Sequence, residues 1–151
     1  SNISESLYVK KYELFDNVIP SSNAVIAHVL YRLGLLYDVC DYTSIAEKML
    51  HQFKSQISQS GPYAGKWASL LGFIVSGSPT LAVVGSESTI FALKLKRKTN
   101  TQTLICGGIE ENIPYLKDKL MEGKTAIYSC KNNTCSAPIF TVDEVLENKY
   151  P

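Results

Sequence analysis

"VSGSPTLAVVGSES", Val75–Ser88, is where the chain changes character. Gly77 and Pro79 punctuate it, Thr80–Val84 is a short run rich in apolar, β-branched residues, and Gly85 turns the chain into a new helical pattern. Upstream of Gly77 the apolar residues recur with a helical period. Downstream, short strands alternate with short helices. This switch predicts a mixed α and β fold: helical hairpins over residues 16–77, then a small α/β subdomain over 78–151, with 1–15 an N-terminal extension.

Upstream, residues 22–37 form the first predicted helix, with Ser22 or Asn23 placed to cap it. Apolar residues from Ala24 to Leu36 leave it almost no polar face, the pattern of a helix surrounded by other helices. Residues 43–58 form a half-exposed amphipathic helix, with Ile45, Met49, Phe53 and Ile57 every four residues. A third helix opens at Pro62, carries Trp67, Leu70, Leu71 and Ile74, and ends at Gly77.

Downstream, Thr80–Val84, Thr103–Cys106 and Thr125–Cys130 read as strands, and 89–98 and Pro114–Leu120 as helices. Thr141–Glu144 has capping-box spacing before a last short helix. Strand and helix in alternation predict a three-stranded, mostly parallel sheet with right-handed crossovers, its first two strands parallel.

The bounds are those of an ordinary small domain: 151 residues, 45% hydrophobic, 19% charged, formal net charge +1. So small a charge argues against a nucleic-acid or acidic-membrane partner, and the apolar runs are shorter than the ~20 residues of a membrane span. Ser1-Asn2 reads as a cloning remnant on a piece of something longer, and no secretory leader precedes the helices. Cys40, Cys106, Cys130 and Cys135 are too scattered for a disulfide scaffold, so reduced thiols and a cytoplasmic location are expected.

Few motifs carry chemistry. "VVGSES" could present N–H groups to an anion at a helix start, but the phosphate-loop glycine patterns are missing and a tight turn explains it. "CKNNTC" (Cys130–Cys135) lacks the second ligand pair of a zinc site and the spacing of a C-x-x-C redox motif. No metal is expected there, and a local disulfide is possible if the loop ends meet. Asn132-Asn133-Thr134 is a glycosylation sequon by pattern only. His28 reads as a core histidine with one satisfied nitrogen, and the basic run Lys94–Lys98 as a solvated helix end complementing the dipole. Nothing calls for a cofactor.

"DNVIPSSNAVIAHVLYRL" (Asp16–Leu33) resembles the D-G-x-x-P-S-G-N-S motif and following helix of the large thioredoxin-domain-containing proteins related to the spermatogenesis-associated thioredoxin-like protein. "AIYSCKNNTCSAP" (Ala126–Pro138) resembles that family's closing A-Y-x-C-x-N-x-x-C-x-x-P segment. Asp16, Pro20, Ser21 and Asn23 match the first motif. Asn17 and Ser22 stand where the family favours Gly, and Ala24 where it favours Ser.

The resemblance implies a thioredoxin-like domain followed by an α/α toroid similar to N-acylglucosamine 2-epimerases and six-hairpin glycosidases. This chain would be the C-terminal portion: the last toroid helices and an appended α/β unit. Loops preceding inner helices of a toroid line its central pocket, so Asp16, Ser21 and Asn23 become the candidate carbohydrate-binding residues, against the plain alternative of a helix cap with a turn-stabilising Asp. The catalytic residues stay unassigned. The implied partners are a carbohydrate in the full-length protein and the chain's own toroid and thioredoxin-like domain. Alone, the fragment is expected to be inactive and to self-associate through its apolar faces. The alternative is a non-catalytic module that closes the toroid and supports the thioredoxin-like neighbour. A third reading is a redox partner domain using Cys130 and Cys135.

Overall fold

The computed structural model describes residues 13–132 and 134–147; most of the N-terminal extension and Asn133 of the sequon lie outside them. Three helices come first: α1 (Ser22–Tyr37), α2 (Cys40–Ser60) and α3 (Gly65–Val75), the last entered through a 3-10 turn at Gly61–Ala64 that contains Pro62. The cap of α1 is Ser21, one residue before the expected pair: its Oγ accepts the Ala24 N–H at 3.3 Å. Helix α2 begins at Cys40, earlier than its apolar pattern suggested.

Ala24, Ala27 and Tyr31 of α1, Ala46, Leu50 and Phe53 of α2, and Trp67, Leu70 and Phe73 of α3 form one buried core. Small residues let the first two helices approach closely. A Cβ on Gly34 would lie 2.6 Å from the Thr43 side chain. Phe53 stacks on Trp67 with ring centroids 5.1 Å apart, and Tyr31 meets Phe73 edge-on at 6.0 Å.

One expectation is corrected here. Helix α1 is not wrapped on all sides. Ala24, Ala27, His28, Tyr31 and Gly34 make its buried stripe, while Val25, Ile26, Val29, Leu33 and Tyr37 form a second apolar stripe facing outward. Composition reports how apolar a helix is, not how many neighbours cover it.

The second half holds β1 (Thr80–Val84), α4 (Ser88–Lys98), β2 (Leu104–Gly108), β3 (Ala126–Lys131), β4 (Thr134–Cys135) and α5 (Val142–Glu147). The strand order is β2-β1-β3-β4. As expected, β1 and β2 are parallel, with Thr80 opposite Leu104 and Val84 opposite Gly108. The sheet is nevertheless four-stranded and not mostly parallel, because β3 runs antiparallel to β1 and β4 antiparallel to β3. A parallel return needs a long crossover, usually a helix. Between β1 and β2 that crossover is α4. Between β2 and β3 the expected helix shrinks to a 3-10 turn at Pro114–Leu116, and the chain enters reversed on the far side of β1.

Strand β1 is buried at every residue. Its alternate side chains serve two cores: Leu81 and Val83 pack with Leu95, Ile127, Val142 and Val145, and Ala82 and Val84 pack with Leu116. The capping box before α5 forms on one side: the Glu144 N–H donates to Thr141 Oγ1 at 3.3 Å. The halves meet at Gly77, whose φ of 84° suits glycine and whose carbonyl accepts the Asn132 N–H at 3.0 Å. Gln102 Nε2 also donates to Ser69 Oγ across this joint, at 2.7 Å. Among the described residues, no helix is long and apolar enough to cross a membrane.

Candidate functional site

The polar residues around the start of α1 converge, and each bonds to backbone groups. Asp16 Oδ1 accepts the Ser21 N–H at 2.8 Å, and Oδ2 accepts the Lys66 N–H at 2.7 Å in the first turn of α3. Ser21 Oγ donates to the Glu13 carbonyl at 2.7 Å, and Asn23 Nδ2 donates to that same oxygen at 2.8 Å. The Trp67 indole N–H reaches the Leu14 carbonyl at 2.8 Å. The cluster thus pins residues 13–21 against the N-terminal ends of α1 and α3. An Asp at a helix start also suits the positive end of the dipole.

The same loop rims a recess of about 560 Å³. Asp16 and Ser21 lie on its wall with Pro20 and Tyr63, and Asn23 is outside the lining. His28, on the buried stripe of α1, donates Nε2–H to the Lys66 carbonyl at 3.0 Å, and its Nδ1 is buried without a partner among the described residues. Burial holds the imidazole pKa below its usual value. The unfolded chain therefore takes up a proton near pH 6.5, where folded His28 still resists it. Stability should fall as pH drops from 7.5 to 5.5. His28→Gln should flatten that dependence, as read from urea midpoints; an unchanged slope would contradict the assignment.

A second recess, of about 200 Å³, lies at the joint of the two halves, walled by Leu35, Asp38, Thr80, Tyr115, Lys119 and the pair Cys130 and Cys135. Cys130 and Cys135 form a disulfide, which corrects the expectation of reduced thiols. Spacing alone left both states open; register decides, because the two cysteines face each other across β3 and β4. Cys40 and Cys106 are free. Behind the disulfide, Tyr115 Oη donates to Thr80 Oγ1 at 2.5 Å, and Thr80 Oγ1 donates to the Cys130 carbonyl at 3.3 Å. Burial pushes the Tyr115 hydroxyl up to about 12, so it stays a donor at neutral pH. The Lys119 ammonium lies over the Tyr115 ring, 5.4 Å from its centroid. Sequence reasoning missed this relay because Thr80, Tyr115 and Cys130 belong to three separate elements with no shared motif.

Among the described residues no group of three or more His, Cys, Asp or Glu side chains is placed to hold a metal ion. The chain matches no family model, and no curated protein and no solved structure matches it.

Proposed function

We propose that this chain is a non-catalytic closing module of a larger helical protein, in which α1 packs against further helices through its outward apolar stripe. The observation that carries the reading is that stripe, with Ile26 51% and Val29 49% exposed in the middle of a helix that has no broad polar face. Contiguous exposed apolar surface of this kind marks an interaction site. The bonds from Asp16, Ser21 and Asn23 to backbone groups support a scaffolding role for the loop. The wider protein would resemble the carbohydrate-active α/α toroids, its chemistry supplied by other segments. The recess beside Asp16 and Tyr63 favours a second reading, in which this loop forms one wall of a sugar pocket there; titrating the full-length protein with mono- and disaccharides tests it, and an Asp16→Asn variant that binds them unchanged would refute it.

The isolated chain should self-associate at micromolar concentrations in sedimentation velocity, and Ile26→Glu with Val29→Glu should make it monomeric. In the full-length protein the same pair should lower stability by at least about 2 kcal/mol, the order expected when the exposed halves of two aliphatic side chains lose the burial that further helices supply. A monomeric parent chain, together with a full-length double variant as stable as its parent, would defeat the proposal.

A further inference from the structure

The two sulfurs of the Cys130–Cys135 disulfide have unequal surroundings. Cys130 is 2% exposed within β3, whereas Cys135 is exposed on the two-residue edge strand β4. Thiol–disulfide exchange depends on which sulfur an incoming thiolate can reach. Here access favours Cys135, and Cys130 is the natural leaving group. Both cysteines belong to the wall of the recess that Asp38 and Lys119 also line, with the Lys119 ammonium over the Tyr115 ring. One negative and one positive side chain on such a wall complement the ammonium and carboxylate of an amino-acid-type thiol. The hairpin is also tied to the joint between the halves, through the Asn132 N–H on the Gly77 carbonyl at 3.0 Å.

We infer that Cys130–Cys135 is an exchange site for a low-molecular-weight, amino-acid-type thiol. The incoming thiolate bonds to Cys135 Sγ as the Cys130–Cys135 bond breaks; the electron pair leaves with Cys130, which takes a proton from water. A second molecule of the thiol then attacks the sulfur of the first, forming their disulfide and releasing Cys135 as a thiol. Two thiols are oxidised to one disulfide, and the protein disulfide is reduced to two thiols. The β-hairpin has backbone support apart from the sulfurs, including the Ser136 N–H on the Ser129 carbonyl at 2.8 Å, so the fold outlasts the reduction.

The test uses native protein and reduced glutathione as probe. Timed acid quenching, alkylation and peptide mass mapping follow each cysteine, and circular dichroism follows the fold. Cys130 and Cys135 should become alkylable together with the spectrum unchanged, and the transient glutathione adduct should lie predominantly on Cys135. Lys119→Ala should slow reduction by glutathione roughly two- to five-fold while leaving uncharged 2-mercaptoethanol unaffected, the size expected of a partly solvated charge pair. Reduction only in the presence of urea, an adduct shared equally by the two cysteines, or equal slowing of both thiols by Lys119→Ala would each overturn the inference.

Discussion

Trp67→Ala should lower the free energy of unfolding by about 3–5 kcal/mol, the usual range for removing a large aromatic side chain from a core. Trp67 is 1% exposed and joins three parts of the helical half. Its ring stacks on Phe53 of α2, its backbone lies in α3, and its indole N–H holds the Leu14 carbonyl at 2.8 Å. Alanine leaves a cavity and removes the donor from that carbonyl. A domain with about 5–15 kcal/mol in hand has little reserve against such a loss. Trp67→Phe separates the contributions: it keeps an aromatic ring against Phe53 and should cost about 1–3 kcal/mol, partly through the unpaired carbonyl. Urea unfolding followed by circular dichroism measures both; an alanine variant within about 1 kcal/mol of the parent would contradict the packing described.

Gly85→Ala should be the most damaging small substitution in the sheet half. Gly85 has a φ of 132°, a conformation that side chains rarely adopt, and an added Cβ would lie 2.6 Å from the Lys124 carbonyl oxygen and 2.7 Å from Thr125 Cα. The obstruction is backbone and cannot rotate away. Strain at such a position costs about 1–3 kcal/mol before any displacement is counted. Displacement is costly too, because Thr125 Oγ1 accepts the Glu87 N–H at 3.0 Å just ahead of α4. The melting temperature should drop by several degrees at least, and Gly123→Ala offers the contrast: its φ of 69° brings conformational strain, but nothing lies within 4 Å of the added carbon. Equal losses at the two positions would show that the contact with Lys124 and Thr125 is not what matters.

How far the sequence could be read follows from the range of each interaction. The span of α1 and the span of β1 were legible to the residue, because local periodicity and flanking punctuation define them. Strand β3 was legible in place but not in direction. Its run of Ala126–Cys130 looks the same whichever way it pairs with β1, and the choice rests on how the chain returns through Pro114–Leu116. Strand β4, at two residues, is too short to carry a period. At Asp16–Asn23 a cap was one of two readings beside a carbohydrate-binding loop, and the capping side chain is Ser21 where Ser22 or Asn23 was expected. That Asp16 reaches forward to Lys66 depends on a contact fifty residues away, which no local pattern encodes.

The pairing of β1 with β2 on one side and β3 on the other has a consequence for how the molecule breathes. The backbone amides of Leu81–Val84 are buried in the centre of the sheet, beneath side chains on both faces. Each amide donates to one neighbouring strand, β2 or β3, so solvent deuterium reaches it only when that strand pulls away from the buried centre of the sheet, an opening far larger than fraying at an edge. Those amides should exchange last. The terminal residues of β4, held on one edge, should exchange through small local openings long before them.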